Sequence, residues 1–236
     1  ERDDILLTTA LGQCIRFPVT DVRVFAGRNS TGVRGIRLGA SDEVISMGIL
    51  RHVAVTSEEA RAYIKHAAAM RRAATGEEEE ISEDEGEETV DEAALSTERL
   101  VELGAAEEFI LTIADDGMGK RSSAYDYRVT GRGGKGLVAQ NIWGRDKKSG
   151  PTKKVAQSFP VGDGDQVMLV TDAGQLIRTP VDQIRIAGRS TGGVWVLRTH
   201  EGEHVVSVAR LVEDAETDMD GENGGPAEAG SPEMPE

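Results

Sequence analysis

This 236-residue chain has one cysteine, three tyrosines, two tryptophans and four phenylalanines. A single thiol, Cys14, excludes an internal disulfide and suits a reducing compartment such as the cytoplasm. With aromatics at 4 %, stacking on bases cannot dominate any nucleic-acid binding. No apolar run approaches the ~20 residues that cross a bilayer, and no signal-peptide pattern is present, so no membrane partner is expected. The four histidines, His52, His66, His200 and His204, lack ligand spacing with cysteine or carboxylates, so no metal site is expected. No nucleophile stands near a paired base, and Asp115 and Asp116 sit at a turn. The chain opens on Glu1, almost directly in a strand-like run, as expected of a piece of a longer protein.

Positive charge also looks scarce, with a net charge of −15. That total hides a segregation. Residues 77–108 hold 15 acids and one arginine, and residues 213–236 hold nine acids and no base. The rest carries 26 bases against 18 acids, a net +8. Blocks of one charge sign with Gly, Ser and Pro do not pack and behave as solvated tails. The remainder has the electrostatic footprint of a polyanion binder.

That remainder is a repeat. Residues 5–37 read ILLTTALGQCIRFPVTDVRVFAGRNSTGVRGIR, and residues 167–198 read VMLVTDAGQLIRTPVDQIRIAGRSTGGVWVLR. Residues 110–140, ILTIADDGMGKRSSAYDYRVTGRGGKGLVAQ, are a looser copy. Each copy starts with a β-prone run, a turn on Gly12, Gly117 or Gly174, and a second β-prone run, which is a hairpin signal. A polar loop and two more short strands follow, about four strands in all, the size of a propeller blade. A unit of this kind cannot bury its own apolar face and must stack on its copies. The expected fold is therefore all-β, with blades at 1–53, 105–160 and 161–212, an insertion at 54–104 and a disordered acidic tail at 213–236. In the insertion, Thr56 and Glu59 form a T-x-x-E capping signal for a helix over 57–74. An acidic linker and a second helix over 92–103 follow.

Residues 131–136, GRGGKG, fit the G-x-G-x-x-G pattern, but dinucleotide binding needs that pattern to open a helix. Here it enters a β-prone run. The phosphate-loop pattern fails because Gly follows Lys135 and Arg121 follows Lys120. What remains is glycine that lets backbone amides approach a phosphate, with Arg132 and Lys135 adding charge. The matching loops hold Arg28, Arg34 and Arg37, and Arg189. A basic loop recurring once per blade makes a ladder of positive sites along one rim, suited to a duplex held by its backbone. The loop at 143–154 adds Lys147, Lys148, Lys153 and Lys154.

Residues 165–199 (DQVMLVTDAGQLIRTPVDQIRIAGRSTGGVWVLRT) and 30–38 (STGVRGIRL) resemble the C-terminal domain of the bacterial DNA gyrase A protein. The resemblance covers the three repeats and the acidic tail. It implies a β-pinwheel, a six-bladed propeller-like fold with strand exchange between blades. It also implies double-stranded DNA wrapped on a basic rim, in support of ATP-dependent negative supercoiling by a type II topoisomerase. ATP and Mg2+ would serve the whole complex, with no cofactor in this segment. The gyrase B protein would join through another part of the chain, in an A2B2 heterotetramer. The family's cleavage tyrosine lies outside this domain, so Tyr63, Tyr125 and Tyr127 do not inherit its role. Its hallmark box, Q-R-R-G-G-K-G, belongs to the first blade. Here 130–136 keeps Arg132, Gly133, Gly134, Lys135 and Gly136 without the leading Gln and Arg. That marks a related loop in a later blade, and the chain as the last three blades. The alternatives are the fewer, more degenerate repeats of the topoisomerase IV A protein, or a protein-interaction propeller that docks through the 57–74 helix.

Overall fold

The computed structural model describes residues 2–76, 79, 81–82, 95–143 and 150–211. Most of the acidic linker and all of the 213–236 tail lie outside these residues, so the expectations of disorder there concern chain that is not described.

The first repeat forms β1 (Asp3–Thr9), β2 (Gln13–Pro18) and β3 (Val44–Arg51). After α1 (Ser57–Thr75) and α2 (Thr97–Ala106), the second forms β4 (Phe109–Ala114), β5 (Met118–Ser123), β6 (Leu137–Val138) and β7 (Val155–Val161). The third forms β8 (Gln166–Thr171), β9 (Leu176–Pro180), β10 (Val194–Trp195) and β11 (Val205–Leu211). Each opening hairpin closes on its glycine. In the first and third repeats a threonine completes the turn: Thr9 Oγ1 accepts from Gln13 N at 3.1 Å, and Thr171 Oγ1 accepts from Gln175 N at 3.0 Å.

The sheets do not coincide with the repeats. Their strand orders are β3-β1-β2-β6, β10-β5-β4-β7 and β11-β8-β9. Strand β6 leaves the second repeat to pair with β2, placing Leu137 opposite Cys14. Strand β10 leaves the third repeat to pair with β5, placing Val194 opposite Gly119. Each of the first two blades is thus finished by the next repeat. The third sheet has three strands, and among the described residues none lies beyond β9.

The cores follow the same logic. Leu6, Cys14 and Leu50 of the first repeat pack with Ile110, Ala124, Tyr127 and Ala139 of the second. Leu111 and Ile113 pack with Val167, Leu169, Val181 and Val208 of the third. The apolar faces are therefore buried between neighbouring blades, as a stacked array requires.

Helix α1 starts on the expected capping box: Thr56 Oγ1 accepts from Glu59 N at 3.1 Å, and Glu59 Oε2 accepts from Thr56 N at 2.9 Å. Its end is a left-handed Gly76. The second helix begins later than the expected 92, because the Ser96 side chain accepts from Arg99 N and caps it there. Both helices dock on the second blade, with Tyr63 meeting Tyr125 edge-on at 5.2 Å and the Tyr125 hydroxyl donating to Leu103 O at 2.8 Å. The insertion is thereby rooted on one blade.

Cys14 is 1 % exposed, and burial pushes its thiol up to about 12. It stays protonated across the physiological range and is inert. Its contribution to stability is complete below its ordinary value of 9.0 and is lost as pH rises toward 12. Iodoacetamide at pH 8 is expected to leave the folded chain unlabelled and to label it fully in denaturant. Labelling at equal rates in both states would contradict this burial.

Candidate nucleic-acid interface

The basic loops of the first and second repeats form one surface. Arg37 N donates to Gly134 O at 2.8 Å, and Gly133 N donates to Gly35 O at 2.5 Å. Arg132 ties the two together, its Nε donating to Asp21 O at 2.9 Å and its Nη1 to Arg34 O at 3.1 Å. Arg28, Arg34, Arg37, Arg132 and Lys135 are all exposed. Charge from two repeats is thus collected at one inter-blade seam.

The remaining expected contacts fall elsewhere. Lys147 and Lys148 lie outside the described residues. Lys154 is exposed at the foot of its loop. Lys153 is not a loose rim charge: its side chain is 8 % exposed and its Nζ lies 3.1 Å from Asp116 Oδ2. Arg189 does not belong to the rim either. It is 1 % exposed, and its guanidinium is used inside the array, Nε donating to Asp126 O at 2.9 Å and Nη1 to Val138 O. A guanidinium bonded to buried carbonyls cannot meet a phosphate in solution.

Two further kinds of cation hold the blades in place. Arg16 donates from Nε to Asp4 Oδ2 at 2.8 Å, from Nη1 to Ala124 O at 2.8 Å and from Nη2 to Arg51 O at 3.0 Å. Arg121, at the matching place in the second repeat, donates from Nε to Ile184 O at 2.6 Å, from Nη2 to Asp182 O at 3.0 Å and from Nη1 to Asp163 Oδ1 at 2.5 Å. Each grips the turn of the following blade, and each carries a parallel bridge to it, Arg16 with Val129 and Arg121 with Ile186. The third member, Arg178, is exposed and bonds Gln166 within its own hairpin. Lys120 is wholly buried, with Nζ donating to Gly188 O at 2.9 Å, Thr191 O at 2.6 Å and Arg189 O. Burial pushes its ammonium down to about 7, while Asp126 pulls the other way. The repeat alignment offers a signal for the arginine latches, since the same residue recurs a few places beyond each turn glycine. Lys120 replaces the Ile15 and Ile177 of its sister repeats and gives none.

Strand-exchanged blades, stacked in series with exposed basic loops at a seam, define a pinwheel-type β-propeller. The family model described as "DNA gyrase C-terminal domain, beta-propeller" matches residues 3–51, 108–147 and 165–211, and the chain belongs to that family. It is 51 % identical to the DNA gyrase A protein of Granulibacter bethesdensis over all of its own length and 25 % of the relative's. It is 43 % identical to that of Rickettsia bellii over 92 % of this chain and 22 % of the relative. The chain therefore spans about a quarter of the curated relatives it matches. A crystal structure of the C-terminal domain of DNA topoisomerase IV superposes with a TM-score of 0.59 at 17 % identity, covering 89 % of this chain and 46 % of that one, a likeness of fold.

Proposed function

We propose that this chain is a DNA-wrapping part of a DNA gyrase A protein, acting in the cytoplasm in support of ATP-dependent negative supercoiling. The observation that carries this reading is the seam where Arg34, Arg37, Arg132 and Lys135 from two successive repeats lie exposed together, with Arg28 also exposed in the first repeat's loop, on a chain of the gyrase C-terminal family. Contacts of this kind hold the phosphate backbone and do not read sequence. The segment itself is non-catalytic in this reading. ATP, Mg2+ and the partner gyrase B protein belong to the rest of the complex, whose cleavage chemistry lies in other parts of the chain. Among the described residues no helix is long and apolar enough to cross a membrane.

The test is a salt titration of duplex binding. Arg28, Arg34, Arg37 and Lys135 are replaced by glutamine, leaving Arg132 because it ties the two loops. Affinity at low salt is expected to fall, and the slope of log affinity against log salt to shrink by about 3–4, near 0.9 per lost phosphate contact. Equal slopes for the two proteins would overturn the seam as the DNA face. Binding that ignores salt would favour the protein-interaction reading.

A further inference from the structure

The three repeats carry the same G-R loop, yet only the third is covered. A Cβ placed on Gly27 or Gly131 would meet nothing within 4 Å. A Cβ on Gly188 would lie 2.3 Å from Ser82 N, 2.8 Å from Ile81 C and 2.8 Å from Ser82 Oγ. The insertion thus crosses the bare face of Gly188 and fits there because that face carries no side chain.

The contact is anchored at two points. Arg71, near the end of α1, holds Glu79 through Nε to Oε1 at 2.5 Å and Nη2 to Oε2 at 3.0 Å. Ser82 Oγ donates to Asp126 Oδ2 at 2.7 Å and accepts from Ser190 N at 3.1 Å. Asp126 Oδ2 also accepts from Arg189 N at 2.6 Å. Two consecutive loop amides, those of Arg189 and Ser190, therefore already serve a carboxylate and a hydroxyl. These are the donors with which a glycine loop would cradle a phosphate oxygen. In sequence, this stretch is flanked by Glu77 and Glu78 on one side and Glu83, Asp84 and Glu85 on the other.

We propose that the stretch carrying Glu79, Ile81 and Ser82 is an autoinhibitory strap: Ser82 occupies the third repeat's loop in place of a DNA phosphate, and release of the strap opens the Gly188 face and the Ser190 amide to duplex. This rests on the DNA-binding reading above. The third loop's arginine is held by Asp126 and Val138 of the second repeat with or without the strap, so what release uncovers is the backbone of Gly188 and Ser190.

Two variants of the full chain test it. Ser82→Ala removes the acceptor of the Ser190 amide and the donor to Asp126. Gly188→Ala places a methyl where the strap backbone lies and leaves every acid of the insertion in the chain. Without DNA, hydrogen exchange at the Ser190 amide is expected to speed up about tenfold in each variant, matching the loss of one buried hydrogen bond. With random-sequence duplex at low salt, affinity is expected to rise several-fold, as an uncovered backbone amide takes a phosphate oxygen. Exchange that does not change in either variant would overturn the contact. Faster exchange with unchanged duplex affinity would overturn the inhibition while leaving DNA binding intact. Failure of both wild type and variants to bind duplex would overturn the DNA-binding reading and the strap's role with it.

Discussion

Arg16→Ala is expected to cost this protein about 3–5 kcal/mol, because it strands a buried carboxylate. Arg178→Ala, at the matching place in the third repeat, is expected to cost no more than about 0.5 kcal/mol. Arg16 and Asp4 form an ion pair at 2.8 Å, with side chains 5 % and 0 % exposed. Removing the guanidinium leaves Asp4 with the half-exposed His52 Nδ1 at 2.9 Å as its remaining ion partner among the described residues. It also deprives the carbonyls of Ala124 and Arg51 of that donor. Arg121→Ala falls between the two. Its acid, Asp163, is 73 % exposed and recovers water, but the carbonyls of Ile184 and Asp182 lose their donor. Urea unfolding followed by far-ultraviolet circular dichroism checks the order Arg16, Arg121, Arg178. An Arg178→Ala cost equal to that of Arg16→Ala would mean that these arginines stabilise their own hairpins and do not latch the next blade.

Gly117→Ala and Gly174→Ala make the second comparison, and the gap should again be several kcal/mol. Both glycines close the first hairpin of their repeat in the left-handed region, at φ of +83° and +85°. A side chain there costs roughly 1–2 kcal/mol at either site. Of the two, Gly117 lies under a neighbour: its added Cβ would stand 2.0 Å from Leu197 O and 3.0 Å from Leu197 C, backbone of the repeat that donates β10. Gly174 has nothing within 4 Å. Alanine at 174 should therefore cost only the conformational penalty. Alanine at 117 must expel the donated strand, break the bonds from Val196 N and Leu197 N to Gly117 O, and open the second core. The check is thermal unfolding together with hydrogen exchange at Val196 and Leu197. Protected amides there in Gly117→Ala would refute the close approach.

The hairpins, the insertion and the family are legible in the sequence because their signals are local: a glycine at each turn, alternating apolar residues, a capping box at Thr56. Strand exchange is not readable from pattern, since Leu137–Val138 and Val194–Trp195 are too short to show a period, and their partners are chosen between blades. The exposed residues Arg28, Arg34, Arg37, Arg132 and Lys135 are legible as basic loop positions. Arg189 shares the Gly-Arg motif of Arg28 and is buried through Asp126 and Val138, two residues distant in sequence. Lys153 reads as one of a lysine cluster, and its pairing with Asp116 across the hairpin is a tertiary fact.

The unfilled edge at β9 has a counterpart at the other end of the array. Val24, which aligns with the bridged Val129 and Ile186, is 97 % exposed. The described body is thus a polymer segment with two unlike ends, one offering an arm and the other an empty socket. Each joint between described blades needs both parts, a short strand lent by one repeat and an open edge on the repeat before it, so a blade is completed only by its neighbour.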